Sequence, residues 1–285
     1  MKKVLVTGAS GQLGRCFRKM ENEFPNLDIT FTSAEELDLT LFGMVDTFIK
    51  DHNFDYCINC AAYTNVEQAE TSREMAFLIN SEAVRNLAQA CAENATCLIH
   101  FSTDYVFDGK KETPYSEEDE TNPINVYGSS KLSGEHYIQQ KLDKFFIFRT
   151  SWLYSNIGHN FFNTIRKKLK SGAVCNITSA QKGTPTNAYD LAAYILNIIS
   201  SEEKHYGIYH YSNLGEATWY DFAQEIIHLS GKTEEVRLIE NNDFETVAER
   251  PANSVLSKEK AMSTFSGEIP HWKESLAQLF KNGIS

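Results

Sequence analysis

The sequence lacks the features that place a protein on nucleic acid or in a membrane. Among its 285 residues, Asp and Glu outnumber Lys and Arg by 38 to 27, which gives a net charge of −11. Non-specific binding to nucleic acid or acidic lipid needs a basic surface, so we expect neither partner. No apolar run reaches the roughly 18 residues of a membrane helix. The longest candidate, residues 191–199, is shorter and contains Asn197.

A cysteine framework and a linker are also missing. The six cysteines follow no regular spacing apart from Cys57-x-x-Cys60, which lies in a run that predicts a buried strand. Residues three apart on a strand point to opposite faces, so we assign no metal ligand and expect free thiols in a reducing compartment. No stretch rich in Gly, Ser or Pro divides the chain. The basic start, residues 1–3, is followed by no cleavage signal, so we expect a cytoplasmic protein.

What is present begins with a glycine-rich turn. A continuous apolar run over residues 4–7 predicts a buried parallel strand, and Gly8, Gly11 and Gly14 follow it before a predicted helix over residues 15–22. Such a turn lets the backbone approach a pyrophosphate, which then lies at the helix N-terminus. Because the pattern follows a strand and opens a helix, it predicts a dinucleotide site.

The adenine end of that site is less defined. After the second predicted strand, residues 33–36 contain two glutamates and no arginine, so NADH and NADPH both stay open as cofactors. A short predicted strand over residues 37–40 would leave Asp38 within reach of an adenine, and a simple turn aspartate is the alternative. Thr40 would then cap a helix over residues 41–51.

Residues 102–131 hold the reactive groups. An apolar run before them predicts a buried strand, and Thr103 and Asp104 follow where it ends. Open parallel sheets bind ligands at that edge. Tyr127 and Lys131 are four residues apart, so on a helix they share a face. The ammonium should lower the pKa of the phenol from about 10 toward neutrality and make it a proton donor. Together these groups predict a carbonyl-reducing site.

Other segments converge on the same predicted edge. A strand over residues 55–63 leaves through small residues that would admit a flat cofactor. Asn80, in the helix that follows, would bend that helix or bond the backbone near the site, and a helix-surface amide is the alternative. Trp152, after a strand over residues 145–150, is an apolar wall for a sugar or core packing. Arg250 suits a nucleotide pyrophosphate or a surface ion pair.

The order of elements predicts an α/β fold. We expect a Rossmann-like doubly wound parallel sheet with a smaller, interleaved C-terminal α/β substrate-binding domain. Residues 1–150 would form the dinucleotide-binding domain and residues 151–285 mainly the substrate-binding part, with residues 187–212 returning to the first. The acidic loop over residues 108–125 is either a solvated face or a lid.

Seven motifs run through nearly the whole chain in a fixed order. They are Gly11-Gln12-Leu13-Gly14, Asn59-Cys60-Ala61-Ala62-Tyr63-Thr64 with Glu67, Ser102-Thr103-Asp104-Tyr105-Val106-Phe107-Asp108-Gly109, Tyr127-x-x-x-Lys131, Arg149-Thr150-Ser151-Trp152-Leu153-Tyr154, Gly183-Thr184-Pro185-Thr186 and Arg250-Pro251-x-Asn253-Ser254. In this order they resemble the extended short-chain dehydrogenase/reductase family and, within it, the dTDP-4-dehydrorhamnose reductase family. The Ser-Thr-Asp-Tyr-Val-Phe run is the most specific of them.

The resemblance implies an activity and a set of contacts. It implies that NADH or NADPH reduces the C4 ketone of dTDP-4-dehydro-L-rhamnose to dTDP-L-rhamnose, a precursor of surface polysaccharide. Tyr127 would be the general acid, with Lys131 supporting it and Thr103 donating a second hydrogen bond. The implied cofactor contacts are Gly8, Gly11, Gln12, Leu13, Gly14, Asp38, Leu39, Ala61, Ala62, Tyr63, Thr64, Tyr127 and Lys131. The implied substrate contacts are Thr103, Asp104, Tyr105, Trp152, Arg250 and Asn253.

The sequence leaves alternatives open. One is a reductase of another nucleotide-linked 4-ketosugar. Another is a dinucleotide-binding regulatory subunit of the methionine adenosyltransferase type, against which the intact Tyr127 and Lys131 argue. Some members of the resembled family dimerise through Mg²⁺ held by glutamates near the C-terminus. Here residues 270–276 contain one glutamate, Glu274, which argues against that metal site, while monomer and homodimer both stay open.

Overall fold

Strands and helices alternate along much of the chain. A computed structural model describes residues 1–172, 174–232, 236–243 and 246–281. Its strands are β1 (Lys2–Thr7), β2 (Leu27–Thr32), β3 (Tyr56–Asn59), β4 (Cys97–Thr103), β5 (Phe145–Thr150), β6 (Leu153–Tyr154), β7 (Cys175–Ile177), β8 (Lys182–Gly183), β9 (Thr186–Asn187), β10 (Gly207–His210), β11 (Ala217–Thr218) and β12 (Leu238–Glu240). Its helices are α1 (Gln12–Met20), α2 (Phe42–His52), α3 (Val66–Thr71), α4 (Arg73–Phe77), α5 (Ala83–Glu93), α6 (Val126–Lys141), α7 (Phe161–Ser171), α8 (Ala188–Ser200), α9 (Trp219–Leu229), α10 (Glu259–Thr264) and α11 (Trp272–Lys281). Single 3-10 turns lie at Glu21–Glu23 and Asp104–Val106, and a π-helical turn spans Leu78–Glu82.

Six parallel strands form the central sheet, in the order β10-β5-β4-β3-β1-β2. The chain runs from β1 to one side and then to the other, so the sheet is doubly wound and the predicted Rossmann-like fold is confirmed. The strand order reverses between β1 and β3, where a crevice opens beyond the carboxyl ends of the strands. In this region the register places Thr7 beside Asn59, and Asn59 beside His100.

Apolar side chains cover both faces of this sheet. All seven residues of β4 are buried, which is typical of a parallel strand packed on both sides. On one face Ile99 belongs to the same cluster as Phe17 of α1. On the other face Leu98 belongs to a cluster with Leu87 of α5 and Ile138 of α6. This packing fixes α6 against the strand that ends at the predicted site.

The second half of the chain adds to the sheet and also forms a separate cluster. Strand β10 pairs in parallel with β5, and α8 shares an apolar cluster with α1. Around Phe162, Phe222 and Trp272, helices α7, α9 and α11 form another cluster. The division at residue 150, with residues 187–212 returning to the first domain, stays a prediction, and residues 282–285 lie outside the described residues.

Two local predictions around α2 are wrong. Residues 37–40 form turns instead of a strand, because Asp38 Oδ1 accepts hydrogen bonds from the backbone N–H and hydroxyl of Thr40, at 2.9 and 2.7 Å. A short polar side chain that bonds nearby backbone in this way competes with strand pairing. Thr40 is therefore not the cap of α2, whose N-cap residue is Leu41 and lacks a side-chain hydrogen bond.

The acidic loop is tied down by its own carboxylates. Glu117 accepts a hydrogen bond from the backbone N–H of His210 at 2.7 Å, and Asp119 forms an ion pair with Lys111 at 2.6 Å. These two carboxylates are therefore anchors and not freely solvated groups. Within the described residues we find no helix of the length and apolarity needed to cross a membrane.

Candidate active site

A cavity of about 460 Å³ lies beyond the carboxyl ends of the central strands. The start of α1, the exits of β3, β4 and β5, and residues of α6, α7 and α9 form its walls. The predicted site residues that line it are Gly11, Gln12, Leu13, Ala61, Ala62, Thr64, Thr103, Asp104, Tyr105, Tyr127, Lys131 and Trp152. The structure therefore brings together groups that are spread over more than half of the sequence.

The glycine turn fits a dinucleotide pyrophosphate. Gly8 has φ +63°, and a Cβ there would lie 2.6 Å from the backbone nitrogen of Ala61. A Cβ on Gly14 would lie 2.6 Å from the carbonyl oxygen of Gly8, so α1 can approach the turn only without it. Gly11 is the N-cap of α1 and provides no side-chain hydrogen bond. The first-turn N–H groups are thus uncapped at the cavity wall, where a phosphate would satisfy them.

Five predicted cofactor contacts lie outside the cavity wall: Gly8 and Gly14, which shape the glycine turn, and Asp38, Leu39 and Tyr63. Asp38 bonds Thr40 within its own turn, and Leu39 is buried in the cluster that contains α5. Tyr63 is held through its backbone by Asn80, whose Oδ1 accepts from the Tyr63 N–H at 2.8 Å and whose Nδ2 donates to the Tyr63 carbonyl at 3.0 Å. Their contacts with a cofactor stay predictions.

Asn80 reaches this position from the π-helical turn. The helix continues past Asn80, as predicted; it begins at Arg73, after Ser72 with its non-helical backbone angles (φ −125°, ψ 46°), and widens into the π-helical turn at Leu78–Glu82 before α5. Besides its bonds to Tyr63, Asn80 Nδ2 donates to the hydroxyl of Ser130 on α6 at 2.9 Å. The prediction that Asn80 bonds the backbone near the site is confirmed. It ties the exit of β3 to the helix that carries the reactive pair.

Helix α6 presents Tyr127 at the cavity wall. Asn125 caps the helix by accepting from the Gly128 N–H at 2.8 Å. A Cβ on Gly128 would lie 2.1 Å from the Tyr105 carbonyl oxygen, so the glycine permits a close approach to the end of β4. The predicted fall of the Tyr127 pKa is wrong. Desolvation raises the pKa of Tyr127 to about 12, Asp104 adds to the rise, and a hydrogen bond with Thr103 opposes it.

Lys131 is buried one turn further along α6, and its ammonium nitrogen contacts a histidine. Its Nζ lies 3.2 Å from Nε2 of His100, which is also buried. Burial lowers the pKa of Lys131 to about 8, against the opposing effect of Glu135. Nothing in the sequence distinguishes His100 from an ordinary core histidine. Its role shows only once β4 and α6 are packed together.

Thr103 and Asp104 form a polar pair at the end of β4. The Thr103 hydroxyl donates to Asp104 Oδ1 at 3.0 Å and accepts from the Tyr105 N–H at 3.1 Å. Burial raises the pKa of Asp104 to about 7, and the hydrogen bond from Thr103 is among the effects that oppose it. Within the described residues, Asp104 Oδ2 is buried without a hydrogen-bond partner.

Aromatic side chains form the opposite wall. Trp152 stacks on Trp219 with ring centroids 3.6 Å apart and planes 9° apart, and Phe161 lies 4.6 Å from Trp219. Trp152 has φ +46°, and a Cβ on Gly183 would lie 2.6 Å from the Trp152 indole. A non-glycine residue in this backbone region is a form of strain that clusters at functional sites. The sequence pattern predicts only that Trp219 and Phe161 lie at the start of two helices, and it does not predict that they line the site.

Arg250 and Asn253 lie next to the cavity wall rather than in it. Arg250 forms an ion pair with Glu67 at 2.5 Å, which is the alternative that the sequence left open. Asn253 Nδ2 donates to the Lys111 carbonyl at 2.7 Å, and its backbone N–H donates to the Gly109 carbonyl. Asn253 thus fastens two loops together. Substrate contacts for both residues stay predictions.

The doubly wound sheet and the uncapped glycine turn define a dinucleotide-binding protein, and Tyr127 and Lys131 lie in its cleft. The chain belongs to the family described as the RmlD substrate binding domain, whose model matches residues 1–284. Among the described residues, no group of three or more His, Cys, Asp or Glu could hold a metal ion.

Relatives of known name align over nearly the whole chain. The chain is 36% identical over 286 residues to a dTDP-4-dehydrorhamnose reductase of Sinorhizobium fredii, covering 97% of this chain and 96% of that one. It is 37% identical over 280 residues to a Streptomyces antibioticus protein named "Probable dTDP-4,6-dihydroxy-2-methyloxan-3-one 4-ketoreductase", covering 97% and 94%. The crystal structure of the Bacillus anthracis dTDP-4-dehydrorhamnose reductase in complex with NADP superposes with a TM-score of 0.94, at 34% identity, covering 99% and 100%.

Proposed function

We propose that the protein reduces the C4 ketone of dTDP-4-dehydro-L-rhamnose to dTDP-L-rhamnose, with NADPH or NADH as the hydride donor. The observation that carries this is a single cavity that joins the uncapped start of α1 to Thr103, Tyr127 and Lys131. Membership of the RmlD substrate binding domain family and the NADP complex of the Bacillus anthracis relative support the substrate and the cofactor.

The cleft residues supply the proton and stabilise charge. The dinucleotide, when bound, supplies the hydride. Negative charge then develops on the ketone oxygen, and Tyr127 neutralises it by donating its phenolic proton. Because its pKa is raised to about 12, Tyr127 stays protonated throughout the neutral range. The Thr103 hydroxyl would donate a second hydrogen bond to the same oxygen, after turning its one proton away from Asp104 Oδ1.

Other residues hold the two ligands. The uncapped N–H groups at Gln12 and Leu13, next to the Gly11 backbone, would bind the pyrophosphate of the dinucleotide, and Lys131 its nicotinamide ribose. Asp104 Oδ2 would accept a hydrogen bond from a hydroxyl of the sugar, and Trp152 would cover its apolar face. For Arg250 to bind the substrate pyrophosphate, it would exchange its ion pair with Glu67.

Turnover of the ketosugar tests the proposal. Purified protein is mixed with dTDP-4-dehydro-L-rhamnose and either NADPH or NADH, the loss of nicotinamide absorbance is followed, and the product is identified by mass spectrometry. We expect oxidation of the cofactor matched by formation of dTDP-L-rhamnose. Folded protein that binds the dinucleotide and turns over no ketosugar would contradict the proposal and favour the regulatory-subunit alternative.

A second candidate is reduction of another dTDP-linked 4-ketosugar. The Streptomyces antibioticus relative, named for such a substrate, is as similar to this chain as the Sinorhizobium fredii reductase. Comparing kcat/KM for the two ketosugars, and for the rhamnose precursor carrying another base, decides between the candidates. A higher value for the rhamnose precursor is the expected result.

The surroundings of the enzyme stay predictions. We place it in the cytoplasm, as a monomer or homodimer that uses no metal bridge. Sedimentation velocity with and without Mg²⁺ checks the oligomeric state, and a shift caused by Mg²⁺ would contradict the absence of a bridge.

A further inference from the structure

A chain of hydrogen bonds runs across three strands to Lys131. It starts at Thr7, whose hydroxyl donates to Asn59 Oδ1 at 2.8 Å. Asn59 Nδ2 lies 3.2 Å from His100 Nδ1, and His100 Nε2 lies 3.2 Å from Lys131 Nζ. All four side chains are buried, and the strand register sets Thr7, Asn59 and His100 side by side. Thr7 and His100 do not line the cavity, so the contacts that His100 makes with Asn59 and Lys131 are shielded from water.

The backbone fixes the direction of these bonds. Asn59 Oδ1 also accepts from the backbone N–H of Ala61 at 3.1 Å, which identifies that atom as the oxygen. The other amide atom, Nδ2, can only donate, so His100 Nδ1 must be the acceptor and carries no proton. Burial, together with Lys131, holds the pKa of His100 well below its usual range, so the ring is neutral. Its one proton therefore lies on Nε2.

This proton points at Lys131. An ammonium group has three donors and no lone pair, so a protonated Lys131 faces another donor across the 3.2 Å contact. A neutral amine has a lone pair and can accept from His100 Nε2–H. Reversing the histidine tautomer only moves the conflict to the contact with Asn59 Nδ2. Whenever Lys131 is charged, one contact in the series of hydrogen bonds from Thr7 to Lys131 therefore has a donor facing another donor.

We propose that His100 is a positioning residue for the reduction: it holds Lys131 Nζ one turn from Tyr127 and, oriented by Asn59, favours the amine over the ammonium. Its effect on turnover rests on the proposed function, whereas the placement of the protons does not. A lysine that gives up its proton readily can return one to Tyr127 after Tyr127 has protonated the ketone oxygen. Lys131 then takes a proton from water, so the overall step consumes one solvent proton.

Other charged groups near Lys131 act less directly. Glu135, one turn further on α6, favours the ammonium, but its carboxylate is already paired with Arg149 of β5. Asp104, at the end of β4, raises the pKa of Tyr127 and is not among the groups that shift the pKa of Lys131. Tyr127 precedes Lys131 by one turn and is neutral in the working range. His100 is thus the group whose proton placement opposes the charge on Lys131.

Nuclear magnetic resonance tests the proton placement without any turnover. In protein labelled with ¹⁵N-histidine, the His100 signals are identified by their loss in His100→Gln. We expect a neutral ring protonated on Nε2, and a ring protonated on Nδ1 would overturn the proposal. In protein labelled with ¹³Cε-lysine, the titration of Lys131 then gives its pH midpoint.

Two variants that differ chemically should move this midpoint in the same direction. His100→Gln offers a carbonyl oxygen to the ammonium, and Asn59→Asp draws the ring proton to Nδ1 and leaves Nε2 as an acceptor. We expect each to raise the Lys131 midpoint by about one pH unit. The alkaline limb of kcat for ketosugar reduction should move upward with it. If Asn59→Asp does not fold, His100→Gln carries the test alone.

The control is Leu98→Val, on the same strand and in the cluster that includes α6. It removes packing without a polar group, so it should lower stability and leave the Lys131 midpoint unchanged. An unshifted Lys131 midpoint in His100→Gln, with a loss of kcat that is uniform over pH, would overturn the proposal. If wild-type protein reduces no ketosugar while the midpoints still shift, the proposed function fails and the proton placement stands.

Discussion

Helix α6 carries two buried ionisable groups one turn apart, and their partners differ. Glu135 faces Arg149, whose Nε lies 3.0 and 3.2 Å from the two carboxylate oxygens and whose Nη2 lies 2.7 Å from Oε2. Lys131 faces the neutral ring of His100 at 3.2 Å. One site pairs opposite charges through a fork of hydrogen bonds, and the other leaves a cation without a counter-charge.

The difference separates an anchor from a reactive group. Arginine does not lose its proton in proteins, so the Arg149–Glu135 pair holds α6 on β5 over the whole working pH range. A buried lysine shifts its pKa readily, and Lys131 has moved toward neutrality. The helix is therefore fixed by one charged site and free to exchange a proton at the other.

Breaking the anchor should have the largest effect. Glu135→Gln leaves the buried guanidinium of Arg149 without a counter-charge, and such a loss costs about 3 to 5 kcal/mol. Denaturant unfolding measures the free energy of unfolding, with Gln139→Ala, a partly exposed position on the same helix, as the control. A loss below about 1 kcal/mol would mean that the pair does not anchor α6.

Removing the proton donor should abolish most turnover and leave the anchor intact. We expect Tyr127→Phe to lower kcat at least about a hundredfold, because no group replaces the phenolic proton. The dissociation constant of the dinucleotide, measured by fluorescence, should change little. Near-normal kcat in this variant would remove Tyr127 from the mechanism.

Removing the unpaired cation should stabilise the protein. Because the pKa of Lys131 falls from 10.5 to about 8 on folding, the folded protein binds fewer protons between these values. Its stability therefore rises as pH rises through that window. Lys131→Met should be more stable than wild type by about 3 kcal/mol near pH 7, with most of the advantage lost near pH 10. A variant less stable than wild type at both pH values contradicts this.

Asp104 should show the opposite pH dependence. Folding raises the pKa of this carboxyl from 3.8 to about 7, so the folded protein binds more protons between these values and loses stability as pH rises. Asp104→Asn should therefore be more stable than wild type near pH 8 and have no advantage near pH 4. Thermal melts at the two pH values measure it, and equal shifts at both would show that ionisation is not the cause.

The fold was largely predictable because it depends on short-range patterns. Each pattern predicts a local structure from neighbouring residues. Apolar runs of strand length predict buried strands, glycines at the first turn predict a close approach of the backbone, and the four-residue spacing of Tyr127 and Lys131 predicts a shared helix face. The strand–helix alternation then leaves few topologies. Where a side chain competed with the backbone, as Asp38 does at Thr40, the apolar pattern predicted a strand that the chain does not form.

The electrostatics of the site were not predictable, because they depend on residues distant in sequence. Spacing placed Lys131 beside Tyr127, but not the burial that raises the Tyr127 pKa or the histidine that faces Lys131. His100 and Trp219 reach the site only through the packing of β4 on α6 and of α9 on the cavity. Similarly, the sequence around Arg250 does not predict that Glu67 is its ion-pair partner.

The π-helical turn at Leu78–Glu82 changes the direction in which the following side chains point. One helical path can therefore direct side chains at two different partners. Each residue of an α-helix turns the chain by about 100°, so one added residue rotates everything that follows. Before the turn ends, the phase is set by Asn80, which must point at Tyr63 and Ser130. After it, the phase is set by Leu87 and Cys91, which must point into the core. A chain shortened by one residue here could keep its helix, but it would have to give up either the cavity wall or the core face.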